Sequence, residues 1–278
     1  MGMGYFAIFG AAVLWGLIGP VSKLAFQGGA APMEVAFFRA LFAWIFFSLQ
    51  ALCQGNMRFS WRDLVFFVPF GLVGVTVFYA SYQLAIERCG AALASVLLYT
   101  APIWVVALSP WVLGERITFA KAAALALAIS GVFLVSGEKE IALNPLGLLF
   151  GLVSGFSYAL YYLIGKRFLV GYPTSYTFSY ALLVGSLGLL PFLRVHEKTG
   201  LAWGAIVFLA FFSTYIAYSL YFAGLRRLPA SRAAIIATLE PVVAALVAHL
   251  WWKESFSGLA ALGSGLILVA AILGSQGK

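Results

Sequence analysis

Glu240 and Pro241 stand side by side in TLEPVVAAL, residues 238–246, inside an apolar run that continues to Trp252. A carboxylate in such a run has three chemical uses: it can answer an amine, carry a proton, or hold a buried cation. The candidate cations are Arg39, in an apolar run of its own, and Arg232, two turns before Glu240. Pro241 has no amide hydrogen and frees a carbonyl one turn earlier, near Ala237; Pro102 does the same near Leu98, so both read as hinges. Aromatic rings with polar tips form a second set. Tyr79 and Tyr82 are three apart, as are Tyr218 and Tyr221, a spacing that puts each pair on one helix face. Tyr99, Trp15, Tyr158 and Tyr162 lie in other apolar runs. Together with Glu240 these side chains suit a small amphipathic molecule.

The elements that position them follow from composition. A chain of 278 residues that is 63% hydrophobic and 9% charged, with a mean hydropathy of +1.01, is a membrane protein. A spanning helix needs about 20 mostly apolar residues, whereas a barrel shows alternating segments of about 10, which are not found. The runs predict ten spans, near 5–25, 34–53, 64–86, 91–113, 119–136, 145–165, 174–193, 202–224, 231–251 and 257–275. The first has no charged leader and no cleavage site, and reads as a retained helix.

Basic residues set the orientation. With the amino terminus cytoplasmic, nine Lys and Arg (Arg58, Arg62, Arg116, Lys121, Lys166, Arg167, Arg226, Arg227, Lys278) are inside. Five (Arg88, Lys139, Arg194, Lys198, Lys253) are outside. That bias puts both termini in the cytoplasm, and a bacterial inner membrane is the expected location. The net charge of +8 reflects this bias and contact with anionic lipid. No basic stripe points to nucleic acid. Cys53 and Cys89 fall at opposite membrane faces and cannot pair. His196 and His249 are isolated, so no metal is expected, nor any other cofactor. The tyrosines near span ends, Tyr82 and Tyr221, fit an interfacial belt or packing as well as a cavity.

An internal repeat organises the chain. Residues 82–115 align without a gap on 221–254 at an offset of 139, pairing Tyr82 with Tyr221, Pro102 with Pro241 and Glu115 with Glu254. One span earlier the offset is 143, and Trp15 meets Tyr158 and Lys23 meets Lys166. One span later Ser130-Gly131 matches Ser264-Gly265. The unit is five helices, 1–136 and then 137–278. An odd unit inserts its second copy upside down, an architecture of alternating-access transporters. Gly147, Gly151 and Gly155 form a stripe on the sixth helix that reads as a sliding surface, a static contact or a dimer seam.

With TAPIWVVALSPWVLGE in the fourth span and LEPVVAALVAHLWWKE in the ninth, the chain resembles the drug/metabolite transporter superfamily, specifically its EamA-type exporters. The resemblance covers essentially the whole chain. It implies an all-α integral membrane protein, ten transmembrane helices in two inverted five-helix repeats, with helices 1, 3, 4, 6, 8 and 9 around a central cavity. Helices 2 and 7 would pack outside that basket, and 5 and 10 at its rim. One departure matters: Ala101 stands where the second half has Glu240, so the role of Glu240 is asymmetric. An acid near the midplane faces a cavity or a partner. Three roles stay open for it: substrate or proton work, an ion pair with Arg39 or Arg232, or a protonated bystander.

These features predict a secondary transporter that exports a small amphipathic metabolite by alternating access, amino acids foremost. Protons are the candidate coupling ion, and the protein is expected as a monomer or weak homodimer. An intramembrane enzyme would need a GxSxG, an HExxH or an aspartate pair in a span, and Asp63 is the only aspartate. A non-transporting structural membrane protein explains the helices but not the acid. No GxxxxGK[ST] loop implies nucleotide hydrolysis.

Overall fold

The computed structural model of the protein describes residues 2–57, 60–136, 144–169, 171–253 and 257–276, and all regular structure among them is helical. Eight segments are long and apolar enough to cross a membrane: α1 (Gly2–Gln27), α2 (Pro32–Cys53), α3 (Trp61–Cys89), α4 (Leu93–Leu113), α6 (Pro145–Phe168), α7 (Thr174–Phe192), α8 (Gly200–Leu225) and α9 (Ala230–Trp252). Two shorter apolar helices complete the order, α5 (Phe119–Val135) and α10 (Gly258–Gly274). Of the ten expected spans, eight are found as long apolar segments, and α5 and α10 stand at the places of the other two. Bulky apolar side chains such as Phe6, Val65, Trp111, Leu146 and Leu250 point outward, while Ser154, Thr177, Ser179 and Thr214 are buried. That is the polarity expected where the surrounding medium is lipid.

The expected connection between the third and fourth spans takes an unforeseen form. Helical structure runs from Phe78 to Leu98 without a loop. Yet the Tyr82 hydroxyl lies 3.1 Å from Ser95 Oγ, 13 residues on. A straight helix would separate those residues by about 20 Å, so the chain folds back sharply between them.

Backbone irregularities recur at the offset of 139. A π-helical stretch occupies Leu72–Val77 in α3 and another Leu209–Ile216 in α8. α4 is interrupted by a two-residue turn at Tyr99-Thr100, α9 by one at Thr238-Leu239. α4 ends on a left-handed Gly114 (φ 68°) and α9 on a left-handed Lys253 (φ 54°). Helix pairing follows the same exchange: α1 packs on α8 and α9 as α6 packs on α3 and α4, α2 packs on α7, α4 on α9 and α5 on α10. Glu254, the expected counterpart of Glu115, lies outside the described residues, as do Arg58, Lys139 and Lys278.

Glycines set the closest seams. A Cβ on Gly151 would meet Leu97 Cδ1 at 2.4 Å, and one on Gly155 the Leu97 carbonyl at 2.5 Å. The stripe on α6 therefore packs within the chain, Gly147 on the end of α3 and Gly151 and Gly155 on α4, and does not form a dimer seam. Between α5 and α10 the close approach is Gly131 on Gly263, whose carbonyls each stand 2.6 Å from where the other's Cβ would be. Gly265, the residue the repeat singled out, faces open space.

Candidate functional site

The two helix breaks meet at the centre of the fold. Each is a helix stop followed by a restart with proline in the first turn: Ala101-Pro102 after the break in α4, Glu240-Pro241 after the break in α9. Proline suits that position, where its missing N–H would have no helical acceptor. Thr100 and Thr238 donate their hydroxyls to the carbonyls of Leu97 and Ile235, each at 2.6 Å, which steadies both turns. The start of α9 is fixed by Glu115, just past the end of α4. The Glu115 carboxylate accepts the Ala230 N–H at 2.6 Å, the Ser231 N–H at 3.3 Å and the Ser231 hydroxyl, and pairs with Lys121 at 3.4 Å.

Between the breaks lies a narrow cavity bounded by Tyr99 and Pro102 of α4, Tyr158 and Tyr162 of α6, and Ala234, Ala237, Thr238 and Glu240 of α9. Its interior, about 10 Å³, has room for about one water. Tyr99 and Glu240 face the same cavity. No ion pair joins Glu240 to either candidate cation. Arg232 instead donates to the Tyr5 hydroxyl at 3.2 Å. Arg39 lies over the Tyr79 ring, Cζ 4.5 Å from its centroid, and its buried Nε has no hydrogen-bond partner. Arg39 thus reaches the cavity residues only through Tyr79, which meets Tyr218.

The aromatic residues form a continuous wall. Tyr79 and Tyr218, counterparts under the repeat, meet hydroxyl to hydroxyl at 2.7 Å. Trp15 stands edge-on to Tyr158 and Tyr218, at 6.3 and 6.1 Å between centroids, and 5.2 Å from Tyr221. Tyr162 is 4.8 Å from Tyr158 and 5.1 Å from Tyr221. Tyr221 is thus buried in the wall and not in a surface belt, and Tyr82 turns to Ser95; of the expected aromatic residues Tyr99, Tyr158 and Tyr162 line the cavity, while Trp15, Tyr79, Tyr82, Tyr218 and Tyr221 do not.

Three contributors escaped the sequence reading. Tyr161, stacked 5.3 Å from Phe70, sits three residues from Tyr158, the same-face spacing already used for the other tyrosines. Thr238 occupies the repeat position of Tyr99 and lines the cavity beside it. Glu34, fully buried, is a second acid within the apolar segments. It accepts the Ala31 N–H at 2.7 Å and the His196 N–H at 2.9 Å, and pairs with Lys198 and with His196 Nδ1 at 3.1 Å. Its place at the third position of α2 is a capping signal visible in sequence. Among the described residues no cluster of His, Cys, Asp or Glu has a metal-holding arrangement.

A multi-span helical protein with a half-buried acid between broken helices falls in the class of membrane transporters. The model of the EamA-like transporter family matches residues 2–137 and again 145–275, and the chain belongs to that family. An uncharacterized transporter of Archaeoglobus fulgidus is 31% identical over 258 residues, 92% of each chain. An uncharacterized inner membrane transporter, YicL, of Salmonella typhimurium is 28% identical, covering 95% of this chain and 92% of its own. A probable terminal-alkyne amino-acid exporter of Streptantibioticus cattleyicolor is 26% identical, with coverage of 94% and 89%. A crystal structure at 20% identity superposes with a TM-score of 0.86 over 98% of this chain and 96% of that one, and shares the fold.

Proposed function

We propose that this chain is a secondary transporter that exports small zwitterionic metabolites, amino acids foremost, from the cytoplasm of a bacterial cell by alternating access. The carrying observation is the Glu240 carboxylate, facing Tyr99 at paired helix breaks, in an aromatic cavity with room for about one water. An amine would use Glu240, and the aromatic wall would take an apolar side chain. A cavity this small requires the halves to part before a metabolite enters. The shared π stretches, paired breaks and exchanged helix contacts support two halves, 1–136 and 137–278, related by a two-fold axis in the membrane plane. The Tyr79–Tyr218 contact of equivalent residues fits such an axis running between them. Both termini would be cytoplasmic, with α5 and α10 as the last span of each half. The name of the amino-acid exporter from S. cattleyicolor supports the substrate class.

The test is uptake into proteoliposomes of a panel of amino acids, organic cations and phosphorylated metabolites, with and without a pH gradient. Amino acids are expected to lead. Stimulation by the gradient would mark proton coupling, and its absence a uniporter. Transport confined to phosphorylated compounds would contradict the substrate class, since such ligands call for several converging Lys and Arg donors.

A further inference from the structure

We propose that Arg39 is the carboxylate receptor of this same site, so that a substrate's acid end is read on α2 and its amine on α9. The inference rests on the amino-acid reading and adds the group that separates amino acids from plain amines. Arg39 is seven residues inside α2, in a stretch of Phe, Leu and Ala. A guanidinium at that depth is costly and ordinarily pairs with an anion or with carbonyls. Here no carboxylate reaches it, its buried Nε is unpartnered, and it rests on the face of Tyr79. Glu240 forms no ion pair with it. A cation and an acid held apart along one aromatic wall match a zwitterion, whose carboxylate can take the planar fork of an arginine bidentately.

Arg39 does not line the cavity in its closed form. The tyrosine beneath it is bonded to Tyr218, and Trp15 joins Tyr218 to Tyr158 of the cavity wall. Separation of the two tyrosines when the halves part opens the cavity toward Arg39. A substrate carboxylate then takes the place of the Tyr218 hydroxyl as the partner of Tyr79 and fills the empty donor of Arg39. This goes beyond a fixed structural cation, which would hold its partners in every state.

The experiment measures binding of L-phenylalanine, L-phenylalaninamide and phenethylamine to purified protein in nanodiscs, for the wild type, Arg39→Gln and Arg39→Lys. The wild type should prefer phenylalanine over its amide by about tenfold or more, the scale of one charged hydrogen bond. Arg39→Gln should erase that preference while phenethylamine binding stays within about threefold, since its amine would meet only Glu240. Arg39→Lys, which keeps the charge but loses the fork, should fall between and guards against a misfolded glutamine variant. Equal loss for all three probes would make Arg39 a structural residue, and an unchanged preference in Arg39→Gln would place the acid elsewhere; either overturns the assignment while leaving amino-acid transport intact. Failure of all three probes to bind the wild type would contradict the amino-acid reading itself, and this assignment with it.

Discussion

Glu34→Gln separates an acid that builds the protein from the acid proposed to serve transport. The Glu34 and Lys198 side chains are 0% and 1% exposed, and Lys198 also donates to the His196 carbonyl at 2.6 Å beneath the rings of Phe38 and Trp203. Glutamine can still accept from the Ala31 and His196 N–H groups, so the cap on α2 survives. What is lost is the counter-charge of a buried ammonium, and breaking such a pair costs about 3–5 kcal/mol. Lys198 lies on the short connection before α8 and can swing toward water, which favours the lower end, about 3 kcal/mol. At about 2–4 °C per kcal/mol this lowers the unfolding midpoint by about 6–12 °C. The assay is thermal unfolding in detergent, followed by the loss of monomeric protein on size exclusion. Glu34→Gln combined with Lys198→Met should recover most of the loss, because an apolar replacement of the whole pair leaves nothing stranded. A single variant that melts within about 1 °C of the wild type, or a double variant no better than the sum of the singles, would refute the buried pair.

Other perturbations follow from the same geometry. Cysteine at Arg116 should be labelled by impermeant reagents only from the cytoplasm, and cysteine at Lys253 only from outside; labelling of both from one side contradicts the inverted repeat. Gly155→Leu would drive a side chain into the Leu97 carbonyl and Thr100 Oγ1, both 2.5 Å from its Cβ, and should abolish accumulation of folded protein, as judged by size exclusion. Tyr79→Phe and Tyr218→Phe each strand one hydroxyl, so each should destabilise by about 1–3 kcal/mol and the pair by less than their sum in a double-mutant cycle of thermal unfolding. Strict additivity would remove the hydroxyl contact.

The architecture was largely readable because lipid imposes a long-period signal. Apolar runs marked the helices, and the offset of 139 foreshadowed where the π stretches, the breaks before Pro102 and Pro241, and the left-handed Gly114 and Lys253 recur. The breaks themselves differ from the kinks that proline alone would produce: two residues leave the helix, and proline opens the next one. What stayed hidden depends on contacts distant along the chain. Glu34 meets His196 and Lys198 across more than 160 residues, and nothing in a loop lysine announces a buried partner. Arg232 looked like a mate for Glu240 because it is two turns away, yet Tyr5 from α1 takes it. Tyr161 and Tyr162 are neighbours in sequence on different faces, and only packing shows that both join the wall.

The most direct test of the account is substrate transport by Glu240→Gln in proteoliposomes, measured across pH and beside the wild type. Glutamine keeps the volume but removes the charge, and no arginine is left unpaired by the change, since none is paired with it. The protein should therefore fold and insert at wild-type levels while amino-acid transport falls by about tenfold or more, the scale of one charged contact, and no longer varies with pH. Wild-type rates at every pH in a well-folded Glu240→Gln variant would contradict it.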